Sequence, residues 1–340
     1  MATPDPRLVA FIEAQGLSPP GARTQWTPLA GGVSSDIWRV DLPGRTLCVK
    51  CALPKLKVAR DWRAPVSRNT NEWAWLNFAA TVYPGAVPRP VAHDAEIGAF
   101  AMEYLDPVAF PVWKQLLLGG RVDAATAQRV GEMLAGLHAH SAGDAALARM
   151  FRTDDVFHSI RLEPYLIATA EVHPELASRL RVLADTTLAT HVALVHGDVS
   201  PKNILIGDAT PVFLDAECAW YGDPAFDAAF CLNHFLLKCL ARPEHAEAYL
   251  SCFDAFAAAY LAGATWEPRA HLEGRTATLL PALFLARIDG KSPVEYVTAE
   301  PDRQLVRGVA VPLVAAPPAR LADIARRWRD ALHARPSRSR

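Results

Sequence analysis

Residues 194–206 read Leu-Val-His-Gly-Asp-Val-Ser-Pro-Lys-Asn-Ile-Leu-Ile, and Val212-Phe213-Leu214-Asp215-Ala216-Glu217 follows a short turn later. Two apolar, β-branched runs flank a polar loop that holds an aspartate and, five residues on, an asparagine, and the second run ends in another acidic pair. The Asp198 carboxylate can take the proton of an attacking hydroxyl. Asn203 and Asp215 offer the hard oxygen ligands that a divalent cation prefers. Together these are the groups that phosphoryl transfer needs, because the protein must hold Mg²⁺ on phosphates, orient the nucleophile and accept its proton. A polar turn after a buried strand could carry any one of them. The ordered set, with strands on both sides, points to chemistry.

A phosphate donor needs cations and approachable backbone amides, and the first hundred residues supply candidates for both. Lys50 lies inside the apolar run 46–53, where an unpaired ammonium is costly, so it should reach an anion. Glu72, in the helical run 71–76, is its natural ion-pair partner, and such a pair suits nucleotide phosphates. Leu29 to Val40 reads as two strand-like runs joined by a turn containing Gly31, Gly32 and Ser34. Without a Cβ, those glycines let backbone amides approach phosphate oxygens. Residues 100–107 read as a strand ending at Pro107, where the backbone of Glu103, Tyr104 and Leu105 is placed to read an adenine edge. The basic segment 54–68, with two prolines and Trp62, reads as a loop over the cleft. Its bland alternative is a solvated charged face.

The remaining elements must position these groups. Residues 5–16 read as an amphipathic helix closed by Gly16, residues 124–140 as a helix whose His138 is a satisfied core histidine, and 164–190 as further helix. An apolar helix runs from about Ala225 through Leu240, with Asp227 expected to cap it or to brace the polar loop. Helices are also expected at 244–263, 274–289 and 319–333. Arg287 interrupts one of them and must find a partner or a wet cavity; ion pairs with Asp227 or Glu217 are one solution, an acceptor's hydroxyls the other.

Composition narrows the partners. The chain is 51% hydrophobic and 21% charged, with a net charge of −1, so no global field favours nucleic acid or an anionic membrane. No uninterrupted apolar run approaches about 18 residues and no leader pattern opens the chain, so a cytoplasmic location is expected. The six cysteines all sit in apolar stretches, as reduced core thiols do. Cys48 and Cys51 are three apart on a strand and face opposite ways, which argues against a metal pair. From residue 271 onward there are seven acids against twelve Lys and Arg, a balance that suits a neutral or anionic acceptor better than a polycation. Trp220 and Tyr221 could line a box for a quaternary amine, although core packing suits them too.

The loop His196-Gly197-Asp198 with Asn203, followed by Asp215-x-Glu217, resembles the aminoglycoside phosphotransferase and choline kinase superfamily. Within it, the runs Val49-Lys50-x-Ala52-Leu53-Pro54, Asp61-Trp62-x-x-Pro65, Arg68-x-x-x-Glu72 and Asp215-x-Glu217-x-Ala219-x-Tyr221-Gly222 resemble the methylthioribose kinases. The resemblance covers roughly residues 29–290. It implies an α+β, protein-kinase-like bilobal fold: an N-lobe (1–104) with an antiparallel sheet and one helix, and a larger, mainly helical C-lobe (105–340). It also implies an ATP- and Mg²⁺-dependent kinase of a small-molecule alcohol. Asp198 would be the base, Lys50 the phosphate-binding lysine, and Asn203 and Asp215 metal ligands, with Glu217 a second acidic position at the metal. Trp62 matches the loop over the active site. Arg287 lies near the place where methylthioribose kinases put adjacent arginines for the sugar; Ala286 replaces one of them, and Asn203 stands where many have serine. An aminoglycoside, choline or ethanolamine acceptor, a binding-only pseudokinase and a homodimer stay open. A protein kinase is disfavoured, because His-Arg-Asp and Asp-Phe-Gly are missing and the stretch 219–225 is too short for a peptide-docking segment.

Overall fold

The computed structural model describes residues 3–29, 35–54, 65–208 and 210–335. Helix α1 (Pro6–Ala14) begins at Asp5, whose side chain accepts from the Arg7 amide, and Gly16 closes it at φ 64°. Strands β1 (Gln25–Pro28), β2 (Ser35–Leu42), β3 (Arg45–Ala52), β4 (Pro90–Asp94) and β5 (Ala99–Glu103) form one antiparallel sheet in the order β1-β2-β3-β5-β4. The first strand starts earlier than the sequence suggests, and its pairing carries on to Leu29, whose N–H donates to Ile37.

β3 is central, and both of its faces are covered. Leu47 and Val49 pack with Leu8, Phe11 and Ile12 of α1. Cys48 points the other way, into the cluster with Trp75 and Leu76 of α2 (Arg68–Val82). Period-two alternation therefore sends Lys50 to the α2 side, and Cys51 to the α1 side with Leu47 and Val49.

Beyond the sheet the chain is mainly helical: α3 (Trp113–Leu118), α4 (Ala124–Ser141), α5 (Ala145–Met150) and α6 (Asp154–Phe157) lead into a π-helical segment, His158–Ile167. After α7 (Ala168–Val172) and α8 (Ala177–Ala189) come two small antiparallel pairs, β6 (Ala193–Val195) with β9 (Trp220–Gly222) and β7 (Ile204–Ile206) with β8 (Pro211–Phe213). The helices α9 (Ala225–Ala241), α10 (Ala246–Gly263), α11 (Arg269–Asp289), α12 (Glu300–Ala315) and α13 (Leu321–His333) complete the chain. None of the helices in the described residues is long and apolar enough to cross a membrane.

Two helical expectations need correction. The run 164–190 is not one pattern: Pro164 lies inside the π-helical segment, and the chain breaks at His173 before Pro174. Proline has no N–H to close the α-helical ladder, and π-turns accommodate that loss. Helix α12 has no counterpart in the sequence reading. Gly308 and Pro312 interrupt its pattern, yet Val306, Ala310, Leu313 and Val314 are buried, so packing outweighs propensity there.

The polar loop 196–203 joins β6 to β7 and is held from below by α9. The buried Asp227 carboxylate accepts the N–H of His196 at 2.7 Å and that of Gly197 at 2.8 Å, and lies 3.3 Å from His138 Nε2. His138 also meets the Tyr260 hydroxyl at 2.8 Å, so it is the satisfied core histidine expected. Asp227 braces the loop, while Asp223 accepts the Ala225 amide at the start of α9. Gly197 is required by geometry: its φ is 79°, and a Cβ there would sit 2.6 Å from the Cys218 carbonyl oxygen.

Replacing Asp227 by alanine strands two buried N–H groups and an imidazole, each costing about 1–3 kcal/mol when unpaired. Asp227→Ala should therefore lose about 3–5 kcal/mol in urea unfolding, with Asp227→Asn intermediate. A loss below about 1 kcal/mol would show that the loop does not hang on this carboxylate.

Candidate active site

The sheet and the polar loop converge on Lys50. Its ammonium lies 2.9 Å from Glu72 Oε1 and 2.7 Å from Oε2, and it also pairs with the Asp215 carboxylate. The expected strand-to-helix ion pair is thus formed, and Asp215 joins it from the end of β8. Burial alone would lower the Lys50 ammonium, but Asp215 and Glu72 outweigh it and hold it above its ordinary range. The same burial lifts Glu72, to about 7. Asp215, which burial would raise, is held well down by Lys50 and Lys202. Asp215 has φ 66°, the one positive value outside glycine among the described residues, and such strain concentrates at functional positions.

Asp198 is 4% exposed and carries two cations on one oxygen. Arg161 Nη2 lies 2.8 Å and Lys202 Nζ 3.0 Å from Oδ2. No hydrogen bond engages Oδ1 among the described residues, which leaves one lone-pair face for an incoming hydroxyl. Burial would raise this carboxyl, yet Arg161 and Lys202 prevail and keep it below its usual range, ionised at neutral pH. Arg161 also donates to the Gly197 carbonyl, so it fixes both the side chain and the backbone of the loop.

His196 ties the loop to Leu214, the residue before Asp215. Its Nδ1 accepts the Asp198 amide at 3.2 Å and its Nε2 donates to the Leu214 carbonyl at 3.1 Å. Burial lowers this imidazole below its ordinary value, so it is neutral and a single tautomer serves both bonds. Trp75 of α2 stands edge-on to it, with centroids 4.7 Å apart. The helix that carries Glu72 is thereby packed against the loop that carries Asp198.

Asn203 donates Nδ2 to the Asp198 carbonyl at 3.1 Å, which leaves its amide oxygen free for a cation. No group of three His, Cys, Asp or Glu that could hold a metal occurs among the described residues. Asn203 and Asp215 suit Mg²⁺ nonetheless, since that ion keeps several waters and takes few protein ligands beside phosphate oxygens. Glu217 is less free, because its Oε2 accepts from Arg68 Nε at 3.0 Å. Arg68 is fully buried and also donates to the Leu53 and Pro65 carbonyls.

The other expected residues lie further out or outside the described chain. Glu103 pairs with Leu47, and Phe100 with Lys50, so Glu103 sits three residues along the strand from the lysine, about 10 Å. Tyr104 and Leu105 follow it, and Arg39 covers the Tyr104 ring at 4.9 Å. Gly31, Gly32, Ser34 and Trp62 lie outside the described residues. Arg287 forms neither ion pair expected of it: Nη1 donates to the Tyr165 hydroxyl at 3.2 Å and to Ser292 Oγ at 3.0 Å. Trp220 stacks on Phe157 and Tyr221 donates to the Ser141 and Val192 carbonyls, so both are core residues and neither lines an aromatic box.

Sequence reasoning missed Arg161 and Lys202. Arg161 stands between Ile160 and Leu162 but in a π-helical segment without the strand frame that singled out Lys50. Lys202 lies inside the quoted loop, at the i+4 position from Asp198.

Residues 25–260 match the phosphotransferase enzyme family (APH). Methylthioribose kinase of Yersinia pseudotuberculosis serotype O:3 (strain YPIII) is 27% identical over 221 residues, covering 57% of this chain and 54% of that protein. Methylthioribose kinase of Bacillus cereus (strain AH820) is 24% identical over 264 residues, covering 69% and 66% respectively. The chain thus spans between about half and two thirds of the length of these curated relatives. Among solved structures, a choline/ethanolamine kinase family protein from Mesorhizobium loti superposes with a TM-score of 0.53 at 16% identity, over 96% of this chain and 97% of that one. Choline kinase from Cryptosporidium parvum Iowa II gives 0.50 at 13% identity, over 97% and 95%. At such identities the likeness is one of fold, and the fold is kinase-like. The family match runs from β1 into α10 and takes in Lys50, Glu72, Asp198, Asn203, Asp215 and Glu217, and on that ground this chain belongs to the phosphotransferase enzyme family.

Proposed function

We propose that the protein is an ATP- and Mg²⁺-dependent kinase that transfers the γ-phosphoryl group to an alcohol of a small hydroxylated metabolite, with its cleft between residues 1–104 and 105–340. The observation that carries this reading is the Asp198 carboxylate, held by two cations on Oδ2 with Oδ1 left open, in a loop that His196 couples to Leu214, the residue before Asp215.

In this reading Lys50, oriented by Glu72, binds the nucleotide's phosphates, and Gly31, Gly32 and Ser34, outside the described residues, are the candidates for backbone contact with them. The backbone of Glu103, Tyr104 and Leu105 reads the adenine. Asn203 and Asp215 hold the metal, with Glu217 adding charge behind them; when bound, Mg²⁺ neutralises charge on the transferring phosphate. Asp198 Oδ1 accepts a hydrogen bond from the acceptor hydroxyl and takes its proton as the oxygen bonds to the γ-phosphorus and the bond to the β-phosphate oxygen breaks. A carboxylate of low basicity serves here, because in a loose transition state the proton leaves late and alignment matters more than base strength.

For the acceptor, a methylthioribose-like sugar has the support of the relatives' names and of Arg287, although that residue lies beyond the family match. Aminoglycoside and choline acceptors are cations and would meet Arg161, Lys202 and Arg287 around the loop. A binding-only pseudokinase has no support in a site where every expected charged group is present. The buried free thiols fit a reducing, cytoplasmic setting.

Asp198→Asn should lower kcat at least about a hundredfold with an ordinary KM for ATP, since positioned base catalysis contributes that much. ADP release across an acceptor panel measures it, and an unchanged kcat would remove Asp198 from the mechanism. Asp215→Ala should abolish the Mg²⁺-dependent part of nucleotide binding while the protein still folds, since Lys50 keeps Glu72 as its partner, although loss of the buried pair lowers Tm. Calorimetry with and without Mg²⁺ decides this: equal affinities in wild type and variant would sink the metal assignment.

A further inference from the structure

The stripe of α9 that braces the loop continues away from it as Asp227, Phe230, His234 and Lys238, residues three, four and four apart and so on one face of the helix. Arg161, the partner of Asp198, lies over the Phe230 ring at 5.9 Å. Next along the stripe, His234 stands edge-on to Phe230 at 5.7 Å, and its Nδ1 is 3.4 Å from the Tyr296 hydroxyl. Lys238 Nζ faces the Tyr296 ring at 5.3 Å. From α11, Arg287 lies over the Tyr165 ring at 5.7 Å, and that ring contacts Phe230 at 5.4 Å. Three basic side chains from two helices thus gather behind the Phe230 ring, which has Arg161, the partner of Asp198, on it as well: His234 touches that ring directly, Arg287 reaches it through Tyr165, and Lys238 meets His234 at Tyr296.

All three are buried, Lys238 completely, His234 to 5% and Arg287 to 8% exposure. None has an anion. Lys238 makes no ion pair among the described residues. His234 Nε2 and Arg287 Nε are buried without a hydrogen-bond partner, as is Ser200 Oγ, two residues from Asp198. Arg287 Nη1 donates only to neutral oxygens, those of Tyr165 and Ser292. The nearby acid, Glu295, is already paired with Lys114 and its side chain is 63% exposed. Burial, aided by Lys114 and Arg287, pushes the Lys238 ammonium down to about 7, and burial with Lys238 and Arg287 pushes the His234 imidazole well down.

A buried guanidinium and a buried ammonium without counter-charges, beside a neutral imidazole whose Nε2 has no partner, destabilise a fold, and apolar residues of the same volume would serve the packing better. Their arrangement makes sense if a ligand brings the missing charge. We propose that the acceptor carries an anionic group, a carboxylate or a phosphate monoester, besides its hydroxyl, and that Lys238, His234 and Arg287 bind this group while Ser200 and Asp198 meet the hydroxyl end. This rests on the kinase reading and narrows it to acidic polyols.

The test uses matched probes with the full chain: ribose, ribonate and ribose 5-phosphate, and glycerol, glycerate and glycerol 3-phosphate. Without nucleotide, the acidic members should raise Tm and the uncharged ones should not. With MgATP, the acidic members should drive ADP release with KM at least about tenfold below their uncharged counterparts. Lys238→Met and, separately, Arg287→Met should erase this preference and leave MgATP affinity unchanged by calorimetry, and Lys238→Met should hold or raise Tm because it removes a buried unpaired charge. Uncharged sugars used as well as acids, a Lys238→Met protein that melts early with an unchanged acceptor KM, or no binding by any acidic probe would each overturn the anion subsite. Acid-dependent stabilisation without turnover of any alcohol would instead uphold the subsite and defeat the kinase reading.

Discussion

The geometry of the site depends on one buried carboxylate. Asp227, rooted in the first turn of α9, holds two consecutive N–H groups of the polar loop, and everything the loop presents follows from that anchorage. Once His196 is fixed, its neutral ring reaches the Asp198 amide on one side and the Leu214 carbonyl on the other, so the acid of the loop and the acid after β8 are placed relative to each other through a single side chain. Gly197, at φ 79° and with no room for a Cβ against the Cys218 carbonyl, turns the chain between His196 and Asp198. A carboxylate accepting two backbone N–H groups in the interior is a strong restraint, since charge-assisted bonds there are neither screened nor replaced by water.

Charge is then divided along the cleft. On the sheet side three acids, Glu72, Asp215 and Glu217, surround Lys50 and Arg68, and each cation has at least one carboxylate. On the helical side the balance reverses: Arg161 and Lys202 share one oxygen of Asp198, and beyond them Lys238, His234 and Arg287 form no ion pair among the described residues, the nearby Glu295 being taken by Lys114. In the kinase proposed here such a gradient would orient a ligand that brings metal and phosphates to one end and a different chemistry to the other, because potentials in a poorly solvated cleft are focused and not averaged.

Much of this was legible in the sequence for identifiable reasons. The strand character of 46–53 and the cost of a lysine within it led directly to Glu72, and the pair is formed. The loop acids stood out because apolar strands framed them, and Asp227 because a carboxylate at the start of an apolar helix needs donors. Arg287 showed that it would need partners, but which ones could not be read: the structure offers it hydroxyls and a carbonyl where acids were expected. Arg161 went unnoticed for want of a periodic frame, since a π-helical segment built around Pro164 obeys neither the 3.6- nor the 2-residue rule. Helix α12 was hidden by its own glycine and proline, residues that packing tolerates and propensity does not.

Lys238 shows where local reading runs out. In the run Leu236-Leu237-Lys238-Cys239-Leu240 it has the same signature as Lys50, a cation in an apolar run, yet the two have opposite fates. Lys50 meets two carboxylates and is held charged; Lys238 meets an aromatic ring and is pushed toward neutrality. The difference is not in either residue's neighbours in sequence but in what the fold brings across the gap, Asp215 from β8 in one case and Tyr296 from the segment after α11 in the other. A sequence states that a buried cation must be answered, and only the tertiary arrangement states whether the answer comes from the chain. Where the chain withholds it, as around Lys238, His234 and Arg287, local rules and global fold disagree, and such disagreements gather where a protein has a task beyond its own stability.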